Sequence, residues 1–221
     1  MQVLPTPAYR IWAKTYDRAP NPLLALEQRL LSARLPRLRG KHVLDVGTGT
    51  GRWLKYASEC GAVCAGVDAC DAMLFEASEH AGIRKKLIAA DACALPLRSG
   101  VFDLAISSFV LGYISDLSGL FRELARVARE VIVSDFHPSA AQAGWSRGFK
   151  ASGQSYKIRA FDYSLEQIRT AATNAGLHLV WELHARFGVE EFAIFEQAGK
   201  ADRFESVSQI PAVYMSAWNR D

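Results

Sequence analysis

The chain has 221 residues, half of them hydrophobic, and a net charge of +3. That length buries a substantial core and fits one α/β domain, and so mild a charge argues against a protein that coats nucleic acid, which shows a concentrated basic face. No apolar run approaches the roughly 20 residues needed to span a bilayer, and the opening MQVLPTPAYRIW lacks the charged start and apolar middle of a secretory signal, so a cytoplasmic location is expected.

Residues 1–20 hold no long periodic segment but gather Tyr9, Trp12, Tyr16 and Asp17. Asn21-Pro22 reads as a helix start, with Asn as the cap and Pro at the first helical position. Leu23, Leu26, Leu30 and Leu31 continue at helical spacing until Pro36 and Gly40. From residue 42 strands and helices alternate. Strands are expected at His42–Val46, Ala62–Val67, Lys86–Ala90, Phe102–Ser107 and Val131–Asp135, with helices at Arg52–Cys60, Ala72–His80 and Leu117–Ala128. Between Phe136 and Tyr163 the pattern lapses into a long stretch rich in Gly and Ser that still carries Trp145, Phe149, Tyr156 and Phe161. Loops of that length in compact domains are usually functional or disordered, and the aromatics argue for the first. Ser164-Leu165-Glu166-Gln167 is a capping box opening a helix to Asn174. Strands at Leu177–Phe187 and Ala212–Trp218, with a short helix at Glu190–Gln197 between them, end the chain.

This alternation implies an α/β fold, a doubly wound, mostly parallel sheet of seven strands with helices on both faces and an antiparallel pairing at the C-terminal edge. The four cysteines, Cys60, Cys64, Cys70 and Cys93, form no C-x-x-C pair and have no histidine at zinc-like spacing. They read as small apolar core residues, and no metal site is expected.

The stretch VLDVGTGTG, Val43–Gly51, is a buried strand ending on an acid and breaking into glycines at alternate positions, with a helix after it. A strand, a glycine turn and a helix cradle a nucleotide cofactor. In the dinucleotide fingerprint G-x-G-x-x-G the last position would fall on Arg52 or Leu54, so both registers fail. Asp45 at the strand end would repel a pyrophosphate but could hold an ammonium group. Asp68 ends the next strand, where a carboxylate can accept hydrogen bonds from both ribose hydroxyls. Asp91, followed by Ala92, ends the third and could meet an adenine amino group or serve only as a turn residue.

The motifs VLDVGTGTGRW, GVDACDAML, DACALPLRSGVFDLAISSFVLGYISDL and EVIVSDFHP, with the opening AYRIWAKTYD, resemble the class I S-adenosylmethionine-dependent methyltransferases, in the group similar to the ubiquinone and menaquinone methyltransferases. The resemblance implies a Rossmann-like single domain over residues 1–221, with a helical lid at 1–40 and an acceptor-covering insertion at 136–163. It implies S-adenosylmethionine as cofactor and S-adenosylhomocysteine as product. By position, Asp45, Gly47, Thr48 and Gly49 line the methionine end and Asp68 takes the ribose. Ala69 and Met73 flank adenine, with Asp91 and Ala92 at its edge; Met73 fits core packing equally well. Ser107 and Phe109 face the methionine, and Tyr16 closes over the site.

The expected activity is methyl transfer by in-line displacement to a small-molecule acceptor, aromatic, phenolic or quinone-like. Two other readings stand beside it: a nicotinamide-dependent oxidoreductase, and a methyltransferase fold that binds a partner without catalysis. Ligands of open α/β sheets lie beyond the carboxyl ends of the strands. That rule singles out His137, directly after the fifth strand, as the catalytic or acceptor-contacting histidine, with His184 behind it. Tyr113, after the fourth strand, is a second candidate. Trp145, Phe149 and Tyr156 could wall the acceptor, and the alternating Arg147, Lys150, Lys157 and Arg159 suit a flat acceptor bearing an acid group. A single-stranded nucleic acid is a weaker fit, because no appended binding module is visible.

Overall fold

The computed structural model describes residues 1–18 and 20–220. A short strand β1 (Gln2–Val3) leads into helix α1 (Pro5–Trp12) and a 3-10 turn over Ala13–Arg18. The opening segment is therefore more regular than its sequence suggests. Proline near its N-terminus presets φ for the first turn, and its aromatics are spent on one side, against the rest of the protein. Helix α2 (Pro22–Ser32) begins as expected, with the Asn21 side chain accepting from Leu23 N at 3.0 Å.

The alternating region follows as β2 (His42–Val46), α3 (Arg52–Glu59), β3 (Val63–Asp68), α4 (Asp71–Ser78), β4 (Leu87–Ala89), β5 (Phe102–Ser108), α5 (Leu117–Val127) and β6 (Ala128–Phe136). The stretch expected to be irregular holds helix α6 (Pro138–Gln142) and a hairpin of β7 (Gly148–Ala151) and β8 (Gln154–Ile158). Helix α7 (Leu165–Asn174), closed at its start by the Ser164–Gln167 capping box, precedes β9 (Leu177–Ala185), α8 (Val189–Gln197), α9 (Ala201–Ser208) and β10 (Val213–Arg220).

Seven strands form the main sheet in the order β4-β3-β2-β5-β6-β10-β9. Those from β4 to β6 are parallel to their neighbours, and β10 runs antiparallel to both β6 and β9. The expected antiparallel pairing is present, with a difference in placement: the terminal strand sits one place inside, and β9 takes the edge. Inserting β10 lets its fully buried Tyr214 and Trp218 pack in the interior.

Both faces of the sheet are covered, as its continuous apolar runs require. On β5, Leu104 and Ile106 join the cluster under α2 and α3, while Ala105 joins the one under α5 and α7. On β6, Ile132 faces the first cluster and Val131 and Val133 the second, the period of two expected of a strand. Strand order reverses between β2 and β5, which opens a crevice at their carboxyl ends.

Two tethers hold the N-terminal segment over that crevice. The first is β1, which pairs in parallel with β8 (Gln2 with Lys157, Val3 with Ile158) and completes a small second sheet with β7. The second is Glu27 of α2, 0% exposed, which accepts from Trp53 Nε1 at 3.1 Å, Ser108 Oγ at 2.9 Å and Ser134 Oγ at 2.7 Å. Arg52 Nη1 approaches its other oxygen to 2.8 Å, off the hydrogen-bonding axis, and Arg52 Nη2 donates to Ser108 Oγ at 3.0 Å. Removing one partner from a buried ion pair strands the other. Glu27→Ala is therefore expected to lower stability by about 3–5 kcal/mol, read as a drop in the urea midpoint at unchanged slope; a midpoint like that of the parent would show that α2 is held by its leucines alone.

Candidate active site

The glycine turn is built by steric exclusion. Gly47 has φ +74° and Gly49 φ +55°, values that side chains resist. A Cβ on Gly47 would lie 2.2 Å from Val110 Cγ2, so the turn and the loop after β5 can close on each other only with glycine there. Gly47 N and Thr48 N both donate to Val67 O, at 2.8 and 2.9 Å, which draws the turn against the end of β3.

Asp68 sits at that end. Its Oδ2 accepts from Gly49 N and its Oδ1 from Cys70 N, each at 2.8 Å. Burial pushes its carboxyl pKa up, and these N–H donors pull it partly back. Asp45 is more enclosed, at 2% exposure. Its Oδ2 accepts from Thr48 Oγ1 at 2.7 Å and Leu54 N at 3.0 Å, which leaves Oδ1 without a partner among the described residues. Burial pushes this carboxyl up to about 6, against the hydrogen bond from Thr48 and the nearby charge of Arg52.

A cavity of about 180 Å³, open to solvent at one side, runs along the crevice. It brings together Tyr16, Gly47, Gly49, Asp68, Ala69, Met73, Asp91, Ala92, Phe109 and Tyr113. A smaller recess is shared by Asp45, Thr48, Tyr16, the turn glycines, Arg52 and Phe109. Phe109 borders both, with its backbone held at φ +57°. This conformation costs a bulky residue about 1–3 kcal/mol and persists where surroundings enforce it.

Two expected residues lie elsewhere. Ser107 is fully buried, its Oγ unpartnered, and does not line the cavity. Strand β5 runs one residue further than expected, and alternation gives the cavity position to Ser108. His137 lines a separate, smaller pocket with Asp135, Arg147 and Tyr163. As the cap of α6, it has Nδ1 accepting from Ser139 N at 3.1 Å, while Nε2 lies 2.8 Å from His184 Nδ1. His184 Nε2 in turn meets Glu182 Oε1 at 2.8 Å. With both nitrogens engaged and burial lowering its pKa, His137 faces this pocket and lies outside the larger cavity, where an acid–base or acceptor-contacting group was expected. Proximity in sequence to the end of β6 located its backbone but not its side chain.

The cavity also takes Pro5, Thr6 and Tyr9 from α1, and Val110 and Ile114 beyond β5, none of them among the expected site residues. Tyr9 Oη donates to Tyr113 Oη at 2.9 Å, and the two rings meet edge to face. Trp12 stacks on Phe149 with centroids 4.7 Å apart, and Phe149 on Tyr156 at 5.0 Å. Trp145, expected in the same wall, instead stacks on Phe187 in the core beneath α2.

A family profile described as a methyltransferase domain matches residues 44–131, from β2 into β6. That stretch is similar to a methyltransferase domain. A solved S-adenosylmethionine-dependent methyltransferase from Mesorhizobium loti superposes with a TM-score of 0.70 at 22% identity, over 90% of this chain and all of the other. Magnesium protoporphyrin IX methyltransferase from Synechocystis, solved with bound S-adenosylhomocysteine, gives 0.60 at 19%, over 90% of this chain and 81% of that one. Among curated proteins, malonyl-acyl-carrier-protein O-methyltransferase of Pseudescherichia vulneris is 36% identical over 100 residues, which is 45% of this chain and 39% of that protein. Demethylmenaquinone methyltransferase of Mycobacterium marinum is 35% identical over 134 residues, 56% of this chain and 55% of that one. The chain thus spans about half or less of these relatives.

The site fits S-adenosylmethionine. Asp45 Oδ1 lacks a partner among the described residues beside the recess, as an ammonium ligand requires, and Asp68 keeps lone pairs free on both pinned oxygens. Among the described residues no three His, Cys, Asp or Glu side chains are placed to hold a metal, and no helix is long and apolar enough to cross a membrane. An ammonium ligand binds ionised Asp45, so affinity for S-adenosylhomocysteine should fall as pH drops below about 6, by up to about tenfold per unit. Calorimetric titrations at several pH values check this. Asp45→Asn should flatten the profile, and an unflattened one would remove Asp45 from the ammonium site.

Proposed function

We propose that this protein transfers a methyl group to a small aromatic, phenolic or quinone-like acceptor by in-line displacement. The observation that carries the reading is one continuous cavity with Asp68 and the glycine turn at one part and the Tyr9–Tyr113 pair at another. The relatives named for a quinone precursor add a modest weight to the acceptor class.

In this reading Asp45 and the backbone of Gly47 and Gly49 hold the amino-acid end of the cofactor, with Thr48 fixing Asp45. Asp68 receives the ribose hydroxyls. Met73, Ala69 and Ala92 flank the adenine, with Asp91 at its edge. The cofactor supplies a sulfonium methyl that is electrophilic from the outset. The protein's tasks are to align a nucleophile and exclude water. Segment 1–40 acts as the lid, with Tyr9 and Tyr16 as its inner surface. Segment 136–163 covers the acceptor side indirectly: Phe149 backs Trp12, and Arg147 backs Tyr113.

Among the described residues no histidine lines the cavity. Burial raises the pKa of Tyr9, Tyr16 and Tyr113, so these hydroxyls are donors at neutral pH rather than bases. The site therefore suits an acceptor that ionises unaided or is nucleophilic already. Labelled S-adenosylmethionine with a panel of phenols, quinols and amines tests the reading. Asp68→Ala should weaken S-adenosylhomocysteine binding by roughly a hundredfold, about 2–3 kcal/mol for hydrogen bonds to a charged group. Unchanged affinity would refute the ribose assignment; cofactor binding without transfer to any acceptor would refute the activity.

A further inference from the structure

The hydrogen bonding of the Tyr9–Tyr113 pair is incomplete. Two hydroxyls bring two protons, and the 2.9 Å bond between them uses one. The bond runs from Tyr9 Oη to Tyr113 Oη, and the Arg147 guanidinium, 4.8 Å from the centroid of the Tyr113 ring, makes the Tyr113 hydroxyl the stronger donor toward a further partner. The unspent proton is thus the one on Tyr113. It has no acceptor among the described residues, although the ring lines the cavity.

Arg147 is itself held in place. It pairs with Asp135, which is 3% exposed and also accepts from Gly112 N at 2.7 Å. Phe136 stacks on its other side, 4.5 Å from the guanidinium to the ring centroid. Gly112 makes room for this: a Cβ there would lie 2.4 Å from Arg147 Nη2. A buried cation fixed behind a phenol, with the phenol's donor unspent, forms a seat for negative charge.

We propose that Tyr113, backed by Arg147 and Tyr9, seats an acidic oxygen of the acceptor, which binds as an oxyanion: a phenolate, an enolate or a carboxylate. The inference rests on the methyl-transfer reading and narrows its acceptor. It also accounts for the lack of a histidine in the cavity, because an oxygen that arrives ionised has no proton to surrender. Tyr113 is then a binding residue that touches the acceptor, and Arg147 a positioning residue acting through it.

The test uses the full chain saturated with S-adenosylhomocysteine, and two probes, 4-nitrophenolate and benzoate. Each is compared with a neutral isostere, 4-nitroanisole and benzamide. The parent protein should bind each anion roughly tenfold or more tighter than its isostere, with the preference for nitrophenolate lost as pH falls and the probe takes its proton. Tyr113→Phe should bring the anion-to-neutral ratio close to one while the neutral probes bind as before, a result that simple misfolding would not give. Tyr9→Phe, which removes a donor to Tyr113, should lower the ratio part of the way. Equal affinity for anion and isostere in the parent, binding of none of the four probes, or a preference that survives Tyr113→Phe would overturn the proposal. The preliminary titration with S-adenosylhomocysteine separates the two claims. If it binds and the anion preference is absent, only the acceptor assignment fails; if it does not bind, the methyl-transfer reading fails and takes this inference with it.

Discussion

A carboxylate with no exposure to water must be surrounded by donors, and Glu27 satisfies that requirement in a way that shapes the whole site. Its donors come from the first turn of α3, the end of β5 and the middle of β6. These are the elements that flank the crevice where strand order reverses. An apolar contact would allow α2 to slide across the sheet at little cost. A buried charge does not, because any displacement leaves it short of partners in a medium of low polarity. The N-terminal segment is therefore registered against the glycine turn by chemistry rather than by packing alone, and Arg52 is shared between the Glu27 network and the recess beside Asp45.

That arrangement sets the electrostatics of the cavity. Asp45 and Asp68 are both buried near the turn, burial raises the cost of ionising each, and the charge of Asp68 adds to that cost at Asp45. Thr48, the backbone N–H groups and Arg52 return part of that cost. The balance leaves one carboxyl poised near the pH at which a cationic ligand can decide its state. At the other part of the cavity the groups presented are hydrogen-bond donors in front of an ion pair. Arg147 is buried with Asp135, and the tyrosines between them and the cavity present donors. A ligand with positive charge at one part and negative charge at another would be oriented by this polarity before any close contact formed.

Much of this was legible in the sequence where the determinants are local. The strand–turn–helix at Val43–Gly51, the acid at the end of β3 and the capping boxes each depend on a few neighbouring residues, and their placement follows from φ preferences and hydrogen-bond accounting. Ser107 was misplaced by one residue because alternation, which decides the face, depends on where β5 stops. His137 was misread for a different reason. Its backbone lies on the ligand side of the sheet, but its ring is captured by His184 and Ser139 N, one partner on the edge strand 47 residues away. The 136–163 segment looked irregular because its hairpin is short and its apolar face, Phe149 and Tyr156, packs on Trp12 from the far N-terminus. No periodicity within the segment itself encodes that contact.

The same division runs through the site. Residues 44–131, the stretch matched by the family profile, contain the turn, Asp45 and Asp68, and the cavity residues Ala69, Met73, Asp91 and Ala92. The other wall also draws Pro5, Thr6, Tyr9 and Tyr16 from one end of the chain, outside that stretch, and Arg147 and Phe149 from the other end pack behind it. The parallel pairing of β1 with β8 brings these two together. Since β1 has only two residues, its hold is modest, and the aromatic stack of Trp12, Phe149 and Tyr156 carries much of the contact. Substitutions behind Tyr9 and Tyr113 can reshape this wall of the cavity without touching the glycine turn. An acceptor specificity built this way is set by which side chains stand behind Tyr9 and Tyr113, and so by residues that never meet the cofactor.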